Sequence, residues 1–330
     1  MCAIAARDQE AEDSSRSKVR SIQGFVAACL VLSVVLAFLR FYVRLSILRS
    51  FRKDDWAVVA TLILMICSGA MATVASHHGL GSHMSILTDS EKTFFLVLIW
   101  ISSLGYLSTI IALKTAFLLQ YRRAFPLPTF QRLCDIFLGF LAVWLLAGFI
   151  TQFAICHPLS QQWDPMVIEN GHSCKARFHF WLANAIVHVA TDIVLFIMPF
   201  PMIRNLPQNR MQKFVLGGVF SLGFFTCAIS AIRLTTLHAA LMGTDQSWEM
   251  ATTLFWSVGE ATCAVVCLCV PTLRPLLAPK KQWRSGQIWT GEPEQRPFPE
   301  RVTRPESDAW NYHAALREAE TLPSTSADGS

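Results

Sequence analysis

The chain has 330 residues, of which 53% are of apolar type and 15% are charged, against roughly 25% charge in average soluble domains. Of its 28 basic and 23 acidic residues, 8 fall in residues 1–21 and 15 in residues 280–330, leaving 28 over the long middle. That distribution excludes disordered, collagen-like and disulfide-scaffold proteins and places the middle in a bilayer.

Residues 1–21 read as a short polar segment. Seven apolar segments follow, at about 22–39, 56–76, 93–113, 133–155, 178–203, 214–238 and 248–273, each near the ~20 residues a spanning helix needs. The third continues as a helical pattern to about Tyr121. No segment alternates with period two as a lipid-facing strand would. Backbone in hydrocarbon must satisfy its own hydrogen bonds, so the expected fold is an all-α polytopic membrane protein, a seven-transmembrane helix bundle over residues 22–277. Residues 278–330, rich in proline and mixed charge, read as a disordered cytoplasmic tail.

Lysine and arginine set the expected orientation. One set of connecting segments holds 15 of them, including Arg40, Arg44, Arg122, Arg123, Arg204 and Arg274, and the opposite set holds 7. The richer side is expected in the cytoplasm, with the N-terminus outside and the C-terminus inside. Residues 1–21 lack the apolar core of a cleaved signal peptide, so helix one is expected to act as the signal. The membrane itself is either the plasma membrane or an endomembrane, and the lipid bilayer is the first partner. Nothing points to nucleic acid.

Cys156 and Cys174 bound a polar stretch in an expected outer loop, an oxidising setting, and a disulfide between them is expected. Cys263, Cys267 and Cys269 on helix seven read as small packing residues. Seven of the nine histidines map to the outer side, but no ligand spacing such as HxxxH singles out a metal site, and none is assigned.

Four ionisable residues lie inside expected helices: Lys114, Asp192, Arg233 and Glu260. Charge in hydrocarbon is expensive, so each is expected to face the bundle interior. On helix five, Trp181, Asn184, His188 and Asp192 share one face; on helix six, Thr226, Ser230 and Arg233; on helix seven, Thr253, Trp256, Glu260 and Cys263; on helix three, Ser103, Tyr106 and Lys114. Four polar stripes can line one cavity. Depth along the helices suggests the pairs Arg233 with Glu260 and Lys114 with Asp192.

The string from Arg40 through Arg44 to Lys53-Asp54-Asp55-Trp56 resembles the first inner loop of the fungal rhodopsin-domain seven-helix integral membrane proteins. That family includes the satratoxin-cluster membrane protein and receptor-like proteins linked to plant infection. Gly79-Leu80-Gly81-Ser82-His83, Phe153 to Pro158 with Trp163 and Cys174, Asn184 with Asp192, Pro199-Phe200-Pro201, Arg233, and Glu260 followed by Pro271-Thr272-Leu273-Arg274-Pro275 fit the same family. The resemblance covers about residues 22–277. It implies a membrane protein associated with secondary-metabolite clusters or surface-cue sensing. Retinal photochemistry is not expected, because a Schiff base needs a lysine in helix seven and none occurs between Trp248 and Leu273. No cofactor is assigned. Gln120-Tyr121-Arg122-Arg123 closes helix three in place of an acidic-Arg-Tyr triplet, which separates the chain from typical G-protein-coupled receptors.

Three functions are consistent with these residues. The first is a receptor-like or accessory membrane protein taking a small-molecule ligand or pathway intermediate from the outer mouth and engaging a cytoplasmic signalling partner. The second is a membrane-embedded, cyclase-like enzyme with Glu260 or Asp192 as general acid. The third is a proton-linked carrier using the same two carboxyls.

Overall fold

A computed structural model describes residues 2–80, 88–164, 175–201, 210–242 and 246–273. The helices are α1 (Cys2–Tyr42), α2 (Lys53–His77), α3 (Asp89–Ala124), α4 (Pro128–Ala154), α5 (Lys175–Ile197), α6 (Arg210–Met242) and α7 (Gln246–Cys269). Each contains a stretch long and apolar enough to cross a membrane, and the described residues contain no strand. The expected seven-helix all-α architecture is therefore present. The tail expected at 278–330 lies outside the described residues, as does Cys174.

Burial follows the helical period. On α2 the buried positions Asp54, Val58, Thr61, Met65, Gly69, Ala72 and Ser76 make one stripe. On α4, Phe130, Cys134, Leu141, Gly148 and Gln152 face inward, while Ile136, Val143 and Ile150 stand exposed on the other side at heptad spacing. Exposed apolar rows of that kind are costly in water and neutral against lipid tails.

Around the bundle, α1 packs on α2 and α7, α2 on α3, α3 on α4, α5 on α6, and α6 on α7. The long α3 also touches α5 and α7, so it runs through the interior of the bundle. Small residues set the closest approaches. A Cβ on Gly148 would lie 2.6 Å from Leu107 Cδ2, and one on Gly69 would lie 2.7 Å from Leu30 Cδ1.

Two helix ends differ from the sequence expectation. Residues 1–21 do not stand apart from helix one: α1 starts at Cys2, in a segment that holds four Ala and three Arg and no proline or glycine to break it. At its other end α1 runs past residue 39 and into a π-helical turn, Val43–Ile47, before the chain reverses at Arg49, which takes a left-handed φ of 46°. The start of α2 is then fixed by Asp55, whose carboxylate accepts the Arg52 N–H at 3.2 Å. Thr88 and Glu91 make the equivalent contact at the start of α3, with Thr88 N–H donating to Glu91 at 2.9 Å. Pro128 opens α4 at a position where its missing N–H costs nothing.

Candidate functional site

The four expected interior charges come together as one cluster. Arg233 Nε lies 3.1 Å from Glu260 Oε2, and Lys114 Nζ lies 2.8 Å from Asp192 Oδ1. His188 stands between the pairs. Its Nδ1 is 2.7 Å from Asp192 Oδ2, and its Nε2 is 3.6 Å from Glu260 Oε1. Ser230 on α6 reaches both carboxylates, at 3.1 Å for Asp192 and in a short contact with Glu260 Oε1. Tyr106 on α3 donates to Glu260 Oε2 at 3.1 Å and lies under the Arg233 guanidinium, whose Cζ is 4.9 Å from the ring centre.

Satisfaction is uneven within this cluster. The three ammonium protons of Lys114 have three acceptors: Asp192 Oδ1, the His188 carbonyl at 2.8 Å and Thr191 Oγ1 at 2.5 Å. Arg233 is different. Its side chain is 5% exposed and neither Nε nor Nη2 makes a hydrogen bond; Nε has the ion-pair contact with Glu260, and Nη2 has no partner. Two cations and two carboxylates offset each other, so the cluster resists the desolvation cost that a lone charge would carry.

Above the cluster, toward the His77 end of the bundle, lies a cavity of about 150 Å³. Its lining includes Ser102, Tyr106, Trp144, Trp181, His188 and Arg233, with apolar side chains between them. On α3 the lining runs from Ile99 to Lys114, which at ~1.5 Å per residue is a length of roughly 22 Å. Asn184 lines it and accepts from Trp144 Nε1 at 2.9 Å, linking α4 to α5. Trp256 was expected on this surface, but it is not among the lining residues and meets Phe255 edge-on, with ring centres 6.1 Å apart. Its place on the α7 stripe is shared with Glu260, yet its ring turns to the neighbouring aromatic.

His188, Asp192 and Glu260 also place one ligand atom each within 4.8 Å of the others, a spacing compatible with a metal ion. Lys114 and Arg233 already neutralise both carboxylates in that set, so a divalent ion would have to displace them. The donor set fits an ion-pair cluster better than a metal centre.

A second buried charge cluster lies at the opposite, Arg40 end. The sequence reading treats these charges as loop residues that report orientation; the structure corrects this. Arg40 is 0% exposed and uses all its donors. Nε donates to Asp55 Oδ1 at 3.2 Å, Nη2 to Asp54 Oδ2 at 3.1 Å, and Nη1 to Gln120 Oε1 at 2.9 Å and the Leu268 carbonyl at 2.6 Å. Arg44 reaches Asp54 at 3.2 Å, and Arg123 reaches it at 3.1 Å. The cause is the extension of α1: Arg40 and Arg44, four apart on one helical face, meet the two carboxylates in the first turn of α2. That pattern, i and i+4 arginines followed by an acidic helix start, was the signal available in the sequence.

Cys156 is buried and is not one of the free thiols Cys29, Cys67, Cys134, Cys227, Cys263, Cys267 and Cys269. Its expected partner, Cys174, lies outside the described residues.

The chain is similar to three proteins of fungal biosynthetic clusters. It is 23% identical to the polyenoic acids biosynthesis gene cluster protein Ba17b of Metarhizium anisopliae, over 78% of this chain and 73% of that one. It is 25% identical to the fugralins biosynthesis cluster protein 2 of Gibberella zeae, over 76% of this chain and 63% of that one. It is 25% identical to the wortmanamides biosynthesis cluster protein C of Talaromyces wortmannii, over 75% and 68%. No solved structure matches it. The model of the fungal rhodopsin domain matches residues 39–279, a range that contains both charge clusters and the cavity, and the chain belongs to that family.

Proposed function

We propose that this chain is a receptor-like membrane protein of a fungal secondary-metabolite system, which takes a small, largely apolar molecule into the interior cavity. The observation that carries this reading is the cavity itself, floored by a charge-balanced cluster rather than by a free reactive group. The relatives named for biosynthetic clusters support the setting. Orientation with the N-terminus outside, a Cys156–Cys174 disulfide over the cavity mouth, and operation without retinal belong to the same proposal.

Occupancy has a mechanical route to the other end. The helices α3 and α7 contribute to both clusters: Tyr106 and Lys114 then Gln120 and Arg123 on α3, Glu260 then Leu268 on α7. From Lys114 to Gln120 is roughly 9 Å and from Glu260 to Leu268 roughly 12 Å of continuous helix. A ligand that shifts the floor therefore shifts the partners of Arg40, and a cytoplasmic partner reads that change.

The enzyme reading has less support. Glu260 accepts from Tyr106 and Ser230 and is ion-paired with Arg233, and Asp192 accepts from Ser230 and is ion-paired with Lys114, so a general acid in either place would first have to lose those contacts.

The test uses the full chain in lipid nanodiscs, incubated with an organic extract of a culture of the fungus that carries the gene. Mass spectrometry is expected to recover a bound compound unchanged, and amide exchange at Val43–Ile47 is expected to change on binding. Recovery of an altered compound, with the alteration lost in Glu260→Gln, would establish the enzyme instead.

A further inference from the structure

Among the described residues, Arg233 Nη2, Trp181 Nε1 and Ser102 Oγ on the cavity wall are buried with neither a hydrogen-bond partner nor an ion-pair contact, whereas Arg233 Nε and His188 Nδ1, which also make no hydrogen bond, lie 3.1 Å from Glu260 and 2.7 Å from Asp192. The three open donors come from α6, α5 and α3, so no local helix geometry explains all of them. The neighbours of Ser102 show the contrast. Ser103 and Ser108 both turn their hydroxyls back to helix carbonyls, at 2.7 Å on Trp100 and 2.8 Å on Leu104. A donor left open in a buried site has given up its hydration and gained no bond in return. Acceptors on the same wall are used: Asn184 Oδ1 takes Trp144, and both cluster carboxylates are engaged.

We infer that the cavity is built for a largely apolar molecule bearing a neutral acceptor group, a ketone, ester or lactone carbonyl, received by Arg233 Nη2 with Trp181 and Ser102 as flanking donors. This rests on the ligand-binding reading above and specifies its ligand. Arg233 Nη2 and Trp181 Nε1 can only donate, so the ligand must bring lone pairs to them, which a carbonyl oxygen supplies. Charge selects neutrality. Lys114 and Arg233 already offset Asp192 and Glu260, so a carboxylate would add an unbalanced charge beside Glu260 in a low-dielectric interior. A carbonyl adds none. Arg233 can serve both partners at once, because Nε faces Glu260 and Nη2 is free.

The test is photolabelling of the full chain in nanodiscs with three probes that share one diazirine-bearing alkyl chain. They end in a methyl ketone, a carboxylate or a methyl group, and labelled peptides are mapped by mass spectrometry. The ketone is expected to label residues 99–114 and 180–191 about tenfold more than the alkane and the carboxylate. Trp181→Phe, which removes one N–H and keeps an aromatic ring, is expected to lower that labelling about threefold, and Ser102→Ala similarly. Stronger cavity labelling by the carboxylate, or equal labelling by the alkane, overturns the carbonyl assignment while leaving the ligand-binding reading in place. Failure of all three probes to label the cavity overturns both. Arg233→Lys is a further variant, read only if its melting temperature stays near that of the parent protein. Undiminished ketone labelling in all three variants also overturns the assignment.

Discussion

Arg40 donates to the carbonyl of Leu268 at 2.6 Å, joining two residues 228 positions apart. The bond has a local cause. Past the end of α7 the chain tightens into the 3₁₀ turn Val270–Leu273, where the donor for Leu268 would be the N–H of residue 271. Residue 271 is proline and has none, so the carbonyl is left open and Arg40 fills it. The same guanidinium holds Asp54, Asp55 and Gln120, and so ties α1, α2, α3 and α7 at one point.

Arg40→Met leaves Asp55, itself 0% exposed, without its closest cation, and removes the donor to Leu268. The expected cost is about 3–5 kcal/mol, the usual penalty for breaking a buried pair from one side. Arg40→Lys should recover only part of it, since an ammonium has three donors and cannot fork across four partners. Thermal melts of protein purified in nanodiscs check both, and unchanged melting in Arg40→Met would remove the cluster from any structural role.

Lys114 and Asp192 should be coupled energetically. Lys114→Met alone takes from Asp192 its lysine and leaves it His188 and Ser230, and Asp192→Asn alone removes the counter-charge of an ammonium that has two other acceptors. The double variant is expected to be more stable than the sum of the two losses, with a coupling of about 0.5–3 kcal/mol. A double-mutant cycle on melting data measures it; strict additivity would mean the pair does not interact.

The contact between α3 and α4 depends on the missing side chain at Gly148. Gly148→Ala puts a Cβ 2.6 Å from Leu107 Cδ2, and the expected destabilisation is about 1–3 kcal/mol. Leu107→Ala should relieve the clash, so that adding Gly148→Ala in that background costs little. Chemical or thermal unfolding of the four proteins tests this, and an equal cost of Gly148→Ala in both backgrounds would refute it.

Added all-trans-retinal should give neither a red-shifted absorbance band nor a borohydride-stable adduct. No lysine occurs between Trp248 and Leu273, and Lys114 has all three protons engaged. A stable adduct mapped to Lys114 by mass spectrometry would overturn this expectation.

How much of this was legible beforehand depends on which interactions have a one-dimensional trace. The spans were legible because hydropathy in a bilayer is decided residue by residue over ~20 positions. Depth counting along Asp192, Arg233 and Glu260 was enough to pair the charges, since opposing helices at one depth must meet if they pack. The Arg40 cluster was read as loop charge because its burial depends on partners from three other helices, Asp54 and Asp55, Gln120 and the Leu268 carbonyl, which leave no trace along α1. Thr191 was missed for a similar reason: its hydroxyl matters only because Lys114 arrives from another helix. Trp256 shows the converse, a residue on the right stripe whose ring finds a nearer aromatic partner.

The balance of Lys114 and Arg233 against Asp192 and Glu260 also bears on the membrane potential. Moving one elementary charge through 100 mV involves about 2.3 kcal/mol, the basis of voltage sensing. If both ion pairs move together when the floor of the cavity shifts, the net charge displaced is zero and the field does almost no work on the motion. The motion proposed for the cavity floor would then be driven by the contents of the cavity and carry no net charge of this cluster through the field.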